Sequence, residues 1–188
     1  MLKKNWFFCL FFIFSLFVSV CSTNNQELYK GDTLKIAVVG DIPKSEEENI
    51  FFSNITFEDL ETNIVSVNSD NDAVFIMPEK LVEASDNKYI EVYKQLNIPT
   101  FFIGTTKAHI PFIFESVTYN DAPDVSPKSY AAGYLYDPEN ELGETWRFTK
   151  EKDNKEKITE KEIKKIYSEI FNKISYIKEN RLKYPQTK

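Results

Sequence analysis

Short apolar segments alternate with helix-period segments along the body of this chain. Apolar runs occupy Leu34–Val39, Ala73–Met77 and Pro99–Gly104, and such runs, when bounded by turn residues, are typical of buried strands. Between the last two runs, apolar residues recur at the spacing of one helix face: Tyr89, Val92, Tyr93 and Leu96. A strand, a crossover helix and a parallel strand form the nucleus of an α/β domain. We therefore predict that Asp72–Gly104 is the centre of the fold.

The segments around this centre predict one more strand and a helix before it. Ile50–Ile55 is a short apolar run that indicates a strand. Thr56 and Asp59 have the spacing of a capping box, so we expect a helix from Phe57 to about Val67 and a loop over Ser66–Asp72. The helical segment after Ala73–Met77 is expected to split at Ser85 or Asp86.

The second half predicts an antiparallel hairpin and a long helix. Pro111, Pro123 and Pro127 exclude a long helix between Ile110 and Pro127, where Phe112–Val117 is either a strand or a packed loop. The pattern after Pro127 predicts two strands, Tyr130–Tyr136 and Glu144–Thr149, joined by a turn. The last helix begins at a second capping box, Thr159 and Glu162, and is expected to reach about Asn180. One face of it carries an isoleucine stripe, which we expect to cover the sheet: Ile163, Ile166, Ile170, Ile174 and Ile177.

Together these elements predict an α/β fold. We expect a mostly parallel, doubly wound sheet of the flavodoxin or Rossmann-like kind, with an antiparallel edge hairpin and a long C-terminal helix. Leu34–Val39 is expected to lie centrally in this sheet. The predicted organisation is a signal peptide over 1–20, a tether over 21–33, a single domain over 34–181 and a tail over 182–188.

The first twenty residues have the layout of a secretory leader. Lys3 and Lys4 precede an apolar run from Trp6 to Val20, and polar sequence follows Cys21 at once. Fifteen residues reach only about 22 Å as a helix, which is short for a membrane core of about 30 Å. The sequence therefore favours a leader over a stable membrane span.

The end of this leader resembles the signal peptides of bacterial lipoproteins. Val18, Ser19, Val20 and Cys21 stand where those proteins carry the lipobox, whose cysteine receives diacylglycerol and becomes the mature N-terminus. The resemblance covers the leader alone, and it implies an extracytoplasmic protein anchored to the membrane through a lipid on Cys21. Two alternatives stay open, namely a short uncleaved anchor and an ordinary secretory peptide that happens to contain Cys21.

Composition and charge limit the kinds of partner and site that this protein is expected to have. Aromatic residues make up 15% of the chain and only 5 glycines occur, so we expect a globular, aromatic-rich core. Removal of Lys3 and Lys4 with the leader takes the formal net charge from -6 to -8, which argues against a nucleic-acid partner. With Cys9 in the leader, Cys21 is the one remaining thiol, so no intramolecular disulfide or cysteine metal cluster is expected.

One candidate site lies where three predicted parallel strands end. Asp41 and Glu79 follow the first two apolar runs, and Thr105, Lys107 and His109 follow the third. Because ligands of open α/β sheets bind beyond the carboxyl ends of the strands, these residues form a candidate rim for a small ligand or a metal ion. A single histidine without ligand spacing is more often simply exposed, so we predict no metal site.

No motif assigns a reaction. Gly40–Ser45 follows a strand, but Pro43 lacks an N–H and no glycine precedes Lys44, so a phosphate loop is excluded. The sequence has no Gly-x-Ser-x-Gly elbow, and we predict no catalytic residue and no cofactor. The preferred function is a non-enzymatic binding or interaction module of the cell envelope with a possible protein partner at the cell surface. An extracytoplasmic enzyme or ligand binder using the rim, and a purely structural role, remain alternatives.

Overall fold

The computed structural model describes residues 28–139, 141–149 and 158–183. The predicted signal peptide, the predicted lipid acceptor Cys21 and the predicted tether up to residue 27 lie outside this part of the chain, as do residue 140, residues 150–157 and residues 184–188. Among the described residues, none belongs to a helix that is both long enough and apolar enough to cross a membrane.

The described part of the chain forms one mixed, mostly parallel sheet of six strands. Its order is β2-β1-β3-β4-β5-β6, with parallel pairing from β2 through β4 and antiparallel pairing of β5 with β4 and of β6 with β5. The strands are β1 (Leu34–Val39), β2 (Ile50–Ile55), β3 (Ala73–Ile76), β4 (Thr100–Ile103), β5 (Ser129–Asp137) and β6 (Leu142–Thr149). The predicted α/β class, the parallel centre and the antiparallel hairpin are confirmed. β1 is an interior strand, one position in from the edge.

Five helices and one 3-10 turn, Pro78–Lys80, lie between the described strands, and a sixth helix follows β6. The helices are α1 (Phe57–Thr62), α2 (Ile64–Asp70), α3 (Leu81–Ala84), α4 (Lys88–Gln95), α5 (Ile110–Ile113) and α6 (Glu160–Lys183). Both predicted capping boxes are present. The hydroxyl of Thr56 accepts from the N–H of Asp59, and the carboxylate of Asp59 accepts from the N–H of Thr56. Thr159 and Glu162 form the same pair of hydrogen bonds at the start of α6. The split near Ser85 is confirmed as well.

The predicted loop over Ser66–Asp72 is wrong, because α2 extends to Asp70. Tertiary contacts override the loop-like Ser, Asn and Asp composition. Val67 is buried, and the Asn68 side chain donates to Gln95 O and accepts from Asn97 N–H, which fixes α2 against the end of α4. The helix also breaks at Asn63, so the single helix expected from Phe57 is two short ones.

Between Ile110 and Pro127 the described chain has no long helix, as predicted, and Phe112–Val117 is not a strand but the end of a helical turn followed by an irregular segment. Residues Ile110–Ile113 are one turn of helix, with Pro111 in its first turn, where a missing N–H costs nothing. The Phe112 ring stacks on Phe102, with ring centroids 3.8 Å apart. Burial of this ring against the sheet stabilises a turn too short to form alone.

Two apolar clusters lie on opposite faces of the sheet. On one face, Phe75 stacks on Phe171 of α6 at 6.4 Å between centroids, and the isoleucine stripe of α6 covers the sheet as predicted. On the other face, Tyr93 of α4 meets Phe102 edge-on at 5.3 Å, in a cluster that also includes residues of α1, α2, α3 and α5. Helices therefore cover both faces of the sheet.

Candidate functional site

The carboxyl ends of β1 and β3 bring two of the predicted rim residues together. The N–H of Asp41 donates to Oε1 of Glu79 at 2.6 Å, and Met77 N–H donates to Val39 O at 3.0 Å, which extends the pairing of the two strands by one residue. Both Asp41 and Glu79 are exposed. The rim at this point is therefore a solvated surface with carboxylate groups.

Gly40 makes this close approach possible. Its φ of +115° lies in the region that glycine adopts readily, and a Cβ atom there would lie 2.8 Å from Cβ of Met77 and against the Glu79 carboxylate. The Asn54 side chain donates to Gly40 O at 2.7 Å from the other side. The space between the strand ends is thus filled by protein groups of this chain.

Thr105 and Lys107 hold the turn that leaves β4. Thr105 is fully buried, its hydroxyl accepts from Lys107 N–H at 3.1 Å, and its carbonyl accepts from Ser129 Oγ at 2.9 Å. Nζ of Lys107 forms an ion pair with Asp124 at 3.0 Å. Hydrogen bonds from Thr106 and then Lys107 lower the pKa of Asp124, so the carboxylate is charged at neutral pH and offsets the lysine. These residues stabilise a loop.

His109 lies at the start of α5 and is half-buried. Burial, and after it the charge of Arg147, lowers the pKa of His109, so the ring is neutral at pH 7. Its Nδ1 is buried and, within the described ranges, has no hydrogen-bond partner. The neighbouring ring is Phe114, at 6.3 Å between centroids.

The five predicted rim residues therefore form two separate groups. Asp41 and Glu79 contact each other at the ends of β1 and β3, whereas Thr105, Lys107 and His109 belong to the loop after β4. No hydrogen bond or ion pair of the described residues joins the groups, and no three metal-ligating side chains cluster there or elsewhere in the described part. The arrangement offers carboxylates and a neutral imidazole without bringing them to one reacting atom.

A groove of about 830 Å³ lies on the α6 face, between the connection from β1 to β2 and the first turns of α6. Tyr130 of β5 and Tyr167 of α6 contribute its aromatic walls. Nζ of Lys164 pairs with Glu46 across one side at 2.5 Å. The lining residues are Leu28, Pro43, Lys44, Ser45, Glu46, Glu47, Ile50, Phe52, Tyr130, Glu160, Ile163, Lys164 and Tyr167.

The two tyrosines of this groove are both protonated at neutral pH. Burial raises the pKa of Tyr130. Burial, then Tyr130 and then the negative charge of Glu79 raise the pKa of Tyr167 far above its usual range. Two neutral hydroxyls close to a carboxylate can donate hydrogen bonds to a ligand, but neither is an activated nucleophile or base.

Comparison of the chain with protein-family models, curated proteins and solved structures finds no match. The candidate sites therefore stand on geometry alone. Fold class does not decide between a binding module and an enzyme, because α/β sheets support many chemistries.

A second surface lies along β2, the terminal strand of the sheet on one side. Beside it, α1 and α2 border a depression of about 670 Å³ whose wall includes Phe51, 58% exposed. Acidic side chains in the depression include Asp59 and Asp70, and Lys35 is its basic residue. The strand thus combines an open edge with a neighbouring polar depression.

Sequence reasoning missed the groove. Tyr167 lies beside the isoleucine stripe of α6, and Tyr130 begins the predicted strand Tyr130–Tyr136, so neither pattern points to a shared cleft. The groove depends on how α6 crosses the sheet, which local sequence does not encode. By contrast, the aromatic side chains of Tyr134 and Trp146 on the hairpin pack against the apolar clusters, with Trp146 stacked on Phe101 at 6.3 Å between ring centroids.

Proposed function

We propose that this protein is a lipid-anchored cell-envelope protein whose α/β domain is a non-enzymatic interaction module. The leader pattern that ends at Cys21 supports the anchor. With the lipid on Cys21, the seven residues up to Leu28 reach at most about 25 Å. The domain is then held close to the outer surface of the membrane.

The observation that carries the binding role is the contact between Asp41 and Glu79. In an open α/β sheet the crevice beyond the strand ends is the usual place for substrate or cofactor. Here Glu79 accepts from Asp41 N–H in that position, over Gly40. Because groups of this chain fill the crevice, the outer surface of the domain is the better candidate for the region that binds a partner.

We further infer that the domain is doubly wound in the flavodoxin or Rossmann-like manner. Two observations support this inference. The strand order reverses between β1 and β3, and the connection from β1 to β2 borders the α6 face, whereas α1 to α5 pack on the other face. Right-handed crossovers in opposite directions along a sheet require opposite faces.

The anchor is tested by labelling growing cells with a fatty-acid analogue. We expect the full chain to be labelled in the membrane fraction, and Cys21→Ala to lose the label. Cys9→Ala is the matched control, because it removes the only other cysteine and should keep the label. Persistent labelling of Cys21→Ala refutes the anchor.

The interaction role is tested by crosslinking at the cell surface. The Cys21-anchored protein is expected to give a discrete heterologous crosslinked species. The triple variant Asp41→Ala, Glu79→Ala and His109→Ala should give the same species, since those residues are not the binding surface. Loss of the species in the triple variant contradicts the assignment and favours the strand-end rim.

The groove between Tyr130 and Tyr167 favours a second candidate function, a binder or enzyme for a small ligand. Its aromatic walls and its carboxylates suit an aromatic cation. Benzylamine is a simple probe, and its binding is expected to shift the amide NMR signals of Tyr130 and Lys44. Ile163→Arg places a bulky cation in the groove and should abolish the shifts, while Tyr176→Arg, on the exposed face of α6, should not. Unchanged spectra with benzylamine remove this candidate for aromatic cations.

A further inference from the structure

Along the outer edge of β2, backbone groups point away from the sheet and have no partner among the described residues. In a parallel pair, alternate residues of each strand hydrogen-bond to the neighbour. Leu34 N–H donates to Asn49 O, and the register pairs Leu34 with Ile50, so Asn49, Phe51 and Ser53 bond towards β1. The N–H and C=O groups of Phe52 and Asn54 therefore point away from the sheet.

This edge lacks the features that usually prevent strand addition. Natural edge strands are protected by charged side chains, proline or bulges, and Ile50–Ile55 has neither a charge nor a proline and pairs with β1 in unbroken register. The opposite edge strand, β6, carries the exposed Glu144 and Arg147. The two described edges of the sheet thus differ, and only β2 is open as a template.

The depression beside β2 would receive side chains of an added strand. Successive side chains on one face of a strand are about 7 Å apart. On the α2 face they would pass the exposed ring of Phe51 and approach Asp59 and Asp70. Hydrogen bonds from Thr56 lower the pKa of Asp59, so it is charged at neutral pH. Within the described residues, no lysine or arginine forms an ion pair with either aspartate.

We infer that β2 binds an extended segment of a partner protein by strand addition, and that this segment carries Lys or Arg on the face that meets α2. Backbone hydrogen bonds to Phe52 and Asn54 supply affinity, and the aspartates select the charge. The inference rests on the proposed interaction role and names its surface and its class of partner.

A second copy of the chain fits this edge less well. Antiparallel pairing of two β2 strands about their centre would bring Glu46 and Glu47 of one copy towards Glu58 and Asp59 of the other. Like charges opposed across a new interface disfavour it. A basic segment meets the same residues with attraction, so charge complementarity favours a heterologous partner.

A matched pair of variants isolates the backbone contribution. Asn54→Pro removes an N–H that points outward, at a strand edge where proline is tolerated. Asn54→Ala keeps that N–H, and both variants lose the side-chain bond to Gly40 O. Thermal unfolding of both variants shows whether each is folded before binding is measured.

The probe is a nine-residue peptide in which Lys alternates with Val and Thr, and its control carries Glu at each Lys position. We expect the Lys peptide to bind the full chain and to protect the amides of Phe52 and Asn54 from hydrogen exchange. The Glu peptide should bind at least tenfold more weakly. Asn54→Ala should bind the Lys peptide like wild type, and Asn54→Pro should lose at least tenfold in affinity.

The outcomes that overturn the inference are distinct. Equal affinity of the Asn54→Pro and Asn54→Ala variants shows that strand addition is wrong, and equal affinity for the two peptides shows that the charge preference is wrong. If sedimentation shows a dimer that Asn54→Pro dissociates, the edge binds a second copy instead.

If Asn54→Pro is unfolded, a second pair of variants replaces it. Phe51→Lys is the test and Val82→Lys is its control, since both side chains are 58% exposed. Unchanged binding of the Lys peptide by Phe51→Lys then overturns the inference. Peptide binding in solution is independent of the lipid, so failure of the Cys21 labelling leaves this test intact.

Discussion

The carboxylate of Glu79 lies directly over Gly40, in the space that a Cβ atom on that residue would occupy. Gly40→Ala must therefore displace Glu79 and also adopt an unfavourable φ of +115°. We expect a loss of about 1–3 kcal/mol in the free energy of unfolding, measured by urea denaturation. Lys44→Ala, an exposed change in the same connection, is the control and should be close to neutral. Wild-type stability of Gly40→Ala contradicts the close packing.

The C-terminal helix should be essential for the core. Phe171 is fully buried and stacks on Phe75, so Phe171→Ala removes a large aromatic side chain from the centre of a cluster. We expect a loss of about 3–5 kcal/mol by urea denaturation. Tyr176→Ala on the same helix, at a side chain 62% exposed, should change stability by less than about 0.5 kcal/mol. Similar values for the two variants disprove the assigned helix orientation.

The capping box of α1 predicts a smaller effect. Thr56 Oγ1 accepts from Asp59 N–H at 3.1 Å, and Thr56→Ala leaves that donor without its cap. We expect a loss of about 1 kcal/mol, seen as a lower midpoint in thermal unfolding. Thr62→Ala removes a hydroxyl from the exposed last turn of the same helix and should cost less. An equal loss in both variants argues against a specific cap.

The half-buried ring of His109 predicts a pH dependence of stability. Its pKa is lowered in the folded protein by burial and by Arg147, whereas the unfolded chain binds the proton near pH 6.5. The unfolded state therefore holds more protons just below about pH 6.5, and stability falls as the pH decreases through this window. When the pH is lowered from about 7 to about 5, the midpoint of thermal unfolding should fall less for His109→Gln than for wild type. Parallel curves for the two proteins contradict this role of the histidine.

Much of the secondary structure follows from local chemistry. Apolar runs correctly predicted the limits of β1 and β2, and the Thr-x-x-Asp and Thr-x-x-Glu spacings correctly predicted the two capping boxes. The loop predicted over Ser66–Asp72 was wrong because Asn68 is held by groups at the end of α4. Distant contacts of that kind are not visible in a local pattern.

The candidate rim shows the same limit. Strand ends were predicted correctly, and they do bring Asp41 to Glu79. Lys107, however, is paired with Asp124, which belongs to a proline-containing segment whose path the sequence left open. The groove likewise requires Tyr130 and Tyr167 to line one cleft on the α6 face of the sheet, which depends on helix placement rather than on any motif.

The position of α6 in the chain determines the order in which the core is completed. A ribosome releases this helix only after all six strands have been made, yet the helix covers Phe75 and Phe101 on one whole face of the sheet. Near its far end, Lys178 donates to Thr33 O, just before β1, and to the carboxylate of Asp72, just before β3. Until synthesis reaches α6, that aromatic face lacks its cover, and transiently exposed apolar surface of this kind favours aggregation.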